Sequence, residues 1–401
     1  MTQCGCRKRN CMKWANEDEH GWNVISHGIP SPRECALSTN GSRGAVRSPI
    51  ALSHDCRSLN NGSRNFKTPM RIFQNIFAYP AYLRHLDKAC GKTISFAERL
   101  HAMVNDGMNG VHLLEPVITG EPGAFLTCNE DEALQSAWAR ENGLPARTTP
   151  DEVLLAQIEQ ARPEVFYTQS PNRYGPDFMR RLPGCVRKRV AWHSPPAPVG
   201  NLTAYDLIVN NFPRSLEIYA TQGVRTAYFT PSFDPIMADY CDNEDRPIDI
   251  AFVGGYSRHH RQRAAILEAV AELGGEYHVR FALAPGRLTR LAETPVGWLP
   301  PLSKHARPKN VRKVSGAPLF GRAMYGLFSQ AKIILNGAVD SAAGDRGNMR
   351  CFEAMGCGAL LLSDPGRYPK GMEDGRTMRV YENTADAVRV IRDVLANADE
   401  R

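Results

Sequence analysis

No run of about 18 consecutive apolar residues occurs in this 401-residue chain, and the polar, basic opening Met1 to Asn10 has no apolar stretch behind it. A spanning helix and a secretory leader are therefore not expected, and the reading is a cytoplasmic protein. The sequence also lacks a Walker lysine behind a glycine loop and a complete dinucleotide fingerprint, which disfavours P-loop hydrolysis and nicotinamide binding. Its 11 cysteines lack the paired two-residue gaps of a zinc ribbon. Cys4, Cys6 and Cys11 have no histidine to complete a ligand set, and Cys351 and Cys357 sit singly among apolar neighbours, so thiols and no metal site are expected. Net charge is small outside the first 69 residues, which hold ten Lys and Arg against five acids in a chain of net charge +7. Without interleaved aromatics that excess does not point to nucleic acid, and no nucleic-acid partner is expected.

What is present is an ordinary globular composition, 42% apolar and 23% charged, in a chain long enough for two domains. Residues 1–69 show little hydrophobic periodicity and read as a disordered extension, one that would lie upstream of a natural start at Met70. At Met70 the character changes. The run Arg71 to Phe77 opens an alternation of short apolar segments and helical patterns, the signature of a mostly parallel α/β sheet. Helices are expected over Ser95 to Asp106 and Thr149 to Ala161, and strands over Glu164 to Gln169, Arg189 to Trp192 and Asp206 to Asn210. The stretch Pro231 to Pro247 has linker composition and separates a first domain (70–235) from a second (247–383) followed by a C-terminal helix and tail (384–401), and the acids from Asp239 to Asp249 are read as solvated.

The second domain opens with a strand at Asp249 to Val253, the pair Gly254 and Gly255, and a helix from about Arg258. Glycines between a buried strand and a helix let the backbone approach a phosphate, and Arg258, His259 and Arg261 add positive charge there. Two glycines also serve an ordinary turn, and His259 with His260 would simply cap a helix start. A stronger constellation spans Lys332 to Asp364: strand, polar loop, helix over about 348–355, glycine turn, strand. Its loop, Asp345, Arg346, Gly347 and Asn348, lies at the carboxyl end of one strand and the N-terminus of a helix, where a diphosphate is favoured. Glu353 falls among Phe352, Ala354 and Met355, where an unpaired carboxylate is costly. Its donors would be the two hydroxyls of a ribose, or else Arg350, three residues earlier on the same helix face.

The Asp345 to Glu353 segment, followed by Ala354, Met355, Gly356, Cys357 and Gly358, resembles the acid, seven-residue gap, Glu motif of GT-B glycosyltransferases, with aspartate where the first acid is usually glutamate. The run Asn348 to Glu353 is similar to the Asn, x, Arg, x, Phe, Glu pattern of CgeB-like spore-maturation glycosyltransferases, and the likeness extends from Met70 to about Leu395. The resemblance implies two facing Rossmann-like domains around an interdomain cleft. It implies a nucleotide-sugar donor held by the second domain: Glu353 on the ribose, the Asp345 to Asn348 loop on sugar and diphosphate with Asp345 as a candidate catalytic residue, and Gly254 and Gly255 lining the phosphate pocket. It further implies metal-independent transfer, with Arg258, Arg346 and Arg350 balancing the leaving diphosphate. The nucleotide-sugar is then a co-substrate, and no separate cofactor is expected.

In the first domain, His193 follows the strand Arg189 to Trp192 in a loop with Ser194, Pro195 and Pro196, and is the candidate general base for an acceptor hydroxyl. A loop histidine that only packs is the plainer reading. Arg173 and Tyr174 are candidates to shape the acceptor pocket. The expected activity is sugar transfer to an acceptor the sequence does not identify. An epimerase or hydrolase of nucleotide-sugars, or a silent binding protein, would fit the same motifs.

Overall fold

The computed structural model describes residues 70–91, 94–193, 200–257, 260–298, 300, 302–337 and 344–397. The proposed extension 1–69, the loop residues Ser194, Pro195 and Pro196, and Arg258 with His259 lie outside the described residues.

Two six-stranded sheets organise the rest, each parallel throughout. The first comprises β1 (Ile72–Asn75), β2 (Ala124–Thr127), β3 (Val165–Thr168), β4 (Lys188–Trp192), β5 (Leu207–Asn210) and β6 (Thr226–Tyr228), in the order β2-β1-β3-β4-β5-β6. Its central strands are apolar on both faces because helices cover both, as in β3, where all four residues are buried. Phe73 and Phe125 stack at 4.8 Å across neighbouring strands. Both expected helices form here, over Phe96–Asp106 and Pro150–Ala161. Ser95 with Glu98, and Thr149 with Glu152, close capping boxes that satisfy the first backbone amides of each helix.

The second sheet comprises β7 (Ile248–Gly254), β8 (Val279–Leu283), β9 (Ser315–Gly316), β10 (Ala331–Leu335), β11 (Leu360–Ser363) and β12 (Arg379–Val380), in the order β12-β11-β10-β7-β8-β9. The order reverses between β7 and β10. At such a switch point the outgoing loops diverge and leave a crevice beyond the carboxyl ends of the strands. Gly254 and Asn336 lie at those two ends. The closing helix Thr384–Ala396 packs back on the helix Arg261–Glu272, so Val390, Ile391 and Val394 join the same core as Ile266 and Leu267.

Both sheets belong to one compact unit of the chain. The segment between them is not the solvated linker that its composition suggests. It folds as a short turn Pro235–Met237 and a helix Ala238–Cys241, with Asp234 and Met237 buried. Met237 packs in a core that also holds Val111 from the first half and Met324, Tyr325, Cys351 and Ala354 from the second. Apolar side chains inside the acidic run have drawn it inward. Asp249, expected to be solvated, is paired at 2.6 Å with Lys332. Among the described residues no helix is long and apolar enough to cross a membrane.

Candidate functional site

The switch point of the second sheet gathers most of the residues expected to hold a donor. Gly254 ends β7 with the Phe252 ring against it, so that a Cβ there would come within 2.9 Å of the ring. Gly255 differs: a side chain at that position would meet open space, so the surrounding packing does not require a glycine. Beyond β10, buried Asn336 donates to Ser363 Oγ at 3.1 Å and accepts from Asn348 Nδ2 at 3.3 Å. This ties the donor loop to the strand ends. Asn336 carries no motif signal and was legible only as a polar residue closing an apolar strand.

The helix expected over about 348–355 forms as Met349–Gly356, with Asn348 at its N-cap. The Asn348 side chain makes no capping bond because it is turned to Asn336, and the first-turn amides are left without that side-chain partner. Arg346 is held at 2.8 Å by Asp364, and its Nε is buried with no hydrogen-bond partner. Gly347 has φ +110, a backbone state that favours glycine, and its surroundings require one as well: a Cβ would lie 2.7 Å from both Asn211 Nδ2 and Pro369 Cγ.

Glu353 is fully buried and forms an ion pair with Arg350, the partner that sequence spacing offered as the alternative to a ribose. Only one carboxylate oxygen is used. Oε1 is buried and has no hydrogen-bond partner. Burial raises the Glu353 pKa, with a further push from nearby Asp234, while Arg350 opposes the rise. Asp234 repeats the pattern: burial raises its pKa, and its Oδ2 is also unpartnered. The helix bearing Glu353 packs against the turn Gly110–His112 of the first half. Glu353 therefore faces a filled seam in this conformation, not the open crevice that a ribose contact requires.

Asp345, by contrast, is fully used. One oxygen accepts from Arg367 Nε at 2.8 Å, and the other accepts from the backbone N–H of Arg214 at 2.8 Å, in the first turn of the helix Pro213–Thr221. Asn211 Nδ2 donates to the Gly347 carbonyl at 2.6 Å beside it. The loop expected to meet sugar and diphosphate thus docks on the first half. Neither Asn211 nor Arg214 has a sequence signal for this, since the pairing spans more than a hundred residues.

His193 lies at the carboxyl end of β4, as expected, but is buried. Its Nδ1 is hydrogen-bonded to the Tyr219 hydroxyl and its Nε2 lies 3.4 Å from Asn172 Nδ2. Burial lowers its pKa to about 4, so the neutral imidazole is the form present at neutral pH. Tyr174, expected to shape an acceptor pocket, is instead a fully buried core residue whose hydroxyl accepts from Asn129 Nδ2 at 2.7 Å. Arg173 pairs with Asp151 at 2.8 Å. Local spacing could not separate a pocket aromatic from a core one. Among the described residues no three His, Cys, Asp or Glu side chains group as a metal site would require, and the six described cysteines are free thiols.

Solved structures with a similar arrangement include AviGT4, a glycosyltransferase involved in avilamycin A biosynthesis (18% identity, 83% of this chain and 91% of that one, TM-score 0.46). Others are sucrose-phosphate synthase from Thermosynechococcus elongatus (11%, 82% and 91%, TM-score 0.41) and a putative UDP-N-acetylglucosamine 2-epimerase from Listeria monocytogenes (11%, 83% and 90%, TM-score 0.42). No curated protein matches the chain. Residues 259–401, about a third of the chain, match the family described as glycosyl transferase-like.

Proposed function

We propose that this protein transfers a sugar from a nucleotide-diphosphate-sugar, bound at the switch point of the second sheet, to an acceptor presented by the first half. The observation that carries the reading is the unpartnered Oε1 of buried Glu353. An orphaned carboxylate oxygen costs roughly 1–3 kcal/mol, a cost that a ligand hydroxyl would relieve once the seam opens. The open space beside Gly255 and the uncapped first turn after Asn348 supply room and amide donors for the diphosphate. Arg346 and Arg350 lie in the same loop and helix, paired here with Asp364 and Glu353, and on donor binding would turn to the leaving diphosphate, the means by which a transferase without a metal stabilises its leaving group. His193 is the candidate base for the acceptor hydroxyl in a conformation that frees its ring, which here is buried and bonded to Tyr219. The family match over 259–401 supports the class of reaction.

Calorimetric titration and thermal shift of the full chain with UDP-, GDP-, ADP- and dTDP-sugars test this. One donor should raise apparent stability by about 2.7 kcal/mol at a hundred times its dissociation constant. Glu353→Gln should weaken that donor at least tenfold while remaining folded. Equal binding by the variant, or no binding by any donor, would overturn the assignment. NMR of the bound donor, alone and with acceptor extracts, separates transfer from epimerisation or hydrolysis.

A further inference from the structure

The segment from Ala284 to Lys313, between β8 and β9, holds seven Lys and Arg but a single acid, Glu293. That acid is already neutralised: Arg307 donates to it through Nε and Nη2 at 2.7 Å each. The other six cations, Arg287, Arg290, Lys304, Lys309, Arg312 and Lys313, are all exposed. Seven cations against one acid give this segment a net +6, although residues 70–401 as a whole sum to only +2. The turn Leu302–His305, which carries Lys304, packs on the helix Arg287–Ala292, and the Arg307–Glu293 pair fixes that helix's end, so Arg287 and Arg290 sit on an ordered part of the surface, while the helix Lys309–Lys313 packs on the helix Arg261–Glu272.

The helix Arg287–Ala292 adds a second feature. Its inner side is anchored by buried Ala292, while Leu288 and Leu291, three residues apart and on one face, are 51% and 45% exposed. Two exposed leucines set among arginines are a poor design for binding a phosphodiester polymer, whose backbone offers nothing apolar. They suit an anionic bilayer surface, where the cations meet headgroups and the leucines enter the acyl boundary.

We infer that this face, centred on the helix Arg287–Ala292, docks the protein on membranes rich in anionic lipid. The docking does not depend on the sugar-transfer reading. The segment leaves the carboxyl end of β8, where the Ala284 N–H donates to the Gly254 carbonyl at 3.0 Å, so a docked membrane lies on the same edge of the sheet as the switch point.

Flotation of the full chain with vesicles tests the inference. At about 0.1 M salt the protein should float with vesicles one-third phosphatidylglycerol and stay behind with phosphatidylcholine alone, and roughly 1 M salt should release it. The Arg287→Glu/Arg290→Glu variant should bind at least tenfold more weakly, given the contribution of each cation near an anionic surface. Leu288→Ser/Leu291→Ser should lose severalfold while keeping the salt dependence. Because all four positions are exposed, both variants should melt at the wild-type temperature, and the basic N-terminal residues are common to every arm. Undiminished flotation of the charge-reversed variant would overturn the inference, as would no flotation, or binding of a single-stranded RNA oligomer in place of vesicles.

Discussion

Asp345 and Arg214 meet across the seam between the two sheets: the carboxylate of the second half accepts, at 2.8 Å, the backbone N–H of Arg214 in the first turn of the helix Pro213–Thr221. That position places a negative charge at a helix N-terminus, where exposed amides and the helix dipole favour it. Asn211 to Gly347 at 2.6 Å and Tyr325 to the Gly107 carbonyl at 2.8 Å fasten the same seam. Asp345 thus serves in this conformation as a clasp, with both oxygens engaged.

Substituting Asp345 by Asn should therefore loosen the seam before it affects either core. A charge-assisted bond is exchanged for a weaker one, and a loss of about 1–3 kcal/mol is expected. Hydrogen exchange should show faster labelling at the start of the helix Pro213–Thr221 while the strands stay protected. Unchanged exchange there would refute the clasp.

Gly347→Ala attacks the same contact through the backbone. At φ +110 an alanine is strained, and its Cβ would meet Asn211 and Pro369 at 2.7 Å. The seam should open and the radius of gyration measured by small-angle scattering should rise. Gly255→Ala, placed in open space, should leave both stability and radius unchanged, and any effect should appear in donor affinity alone.

His193 predicts a pH dependence of stability. Its folded pKa of about 4 lies below the unfolded value near 6.5, so the unfolded chain binds the extra proton first as pH falls. Stability contributed by the neutral buried ring is complete above the unfolded value, declines as pH drops through that window, and is fully lost below about 4. The displacement corresponds to about 3 kcal/mol. Denaturant titrations at pH 7 and pH 5 should give a larger stability difference for the wild type than for His193→Gln. Equal differences would place the imidazole in contact with solvent.

Arg99 tests the packing of the first half. Fully buried, it donates to Asp131 at 2.7 Å, to Asp87 at 2.8 Å and to the Gly91 carbonyl at 2.9 Å. Arg99→Ala would leave buried Asp131 without its cation, and a loss of about 3–5 kcal/mol is expected in urea unfolding. Donor binding by the second half, measured where the variant is still folded, should be retained.

Interactions within a few residues and interactions across the chain decided different features of this protein. Apolar runs such as β3 and β10, the capping residue Thr149, and the strand-loop-helix order around Asp345 were legible, because each depends on neighbours within a few residues. The parallel α/β class followed from their alternation. What the side chains do at the seam depended on partners a hundred or more residues away. Composition could not indicate that Asp234 is drawn inside, that Asp345 faces a helix of the other half, or that Tyr174 packs in a core. Nor could it choose between Arg350 and a ribose for Glu353. The structure pairs one oxygen with arginine and leaves the other unpartnered, because burial between two halves removes water from both oxygens while the helix geometry brings the cation to only one.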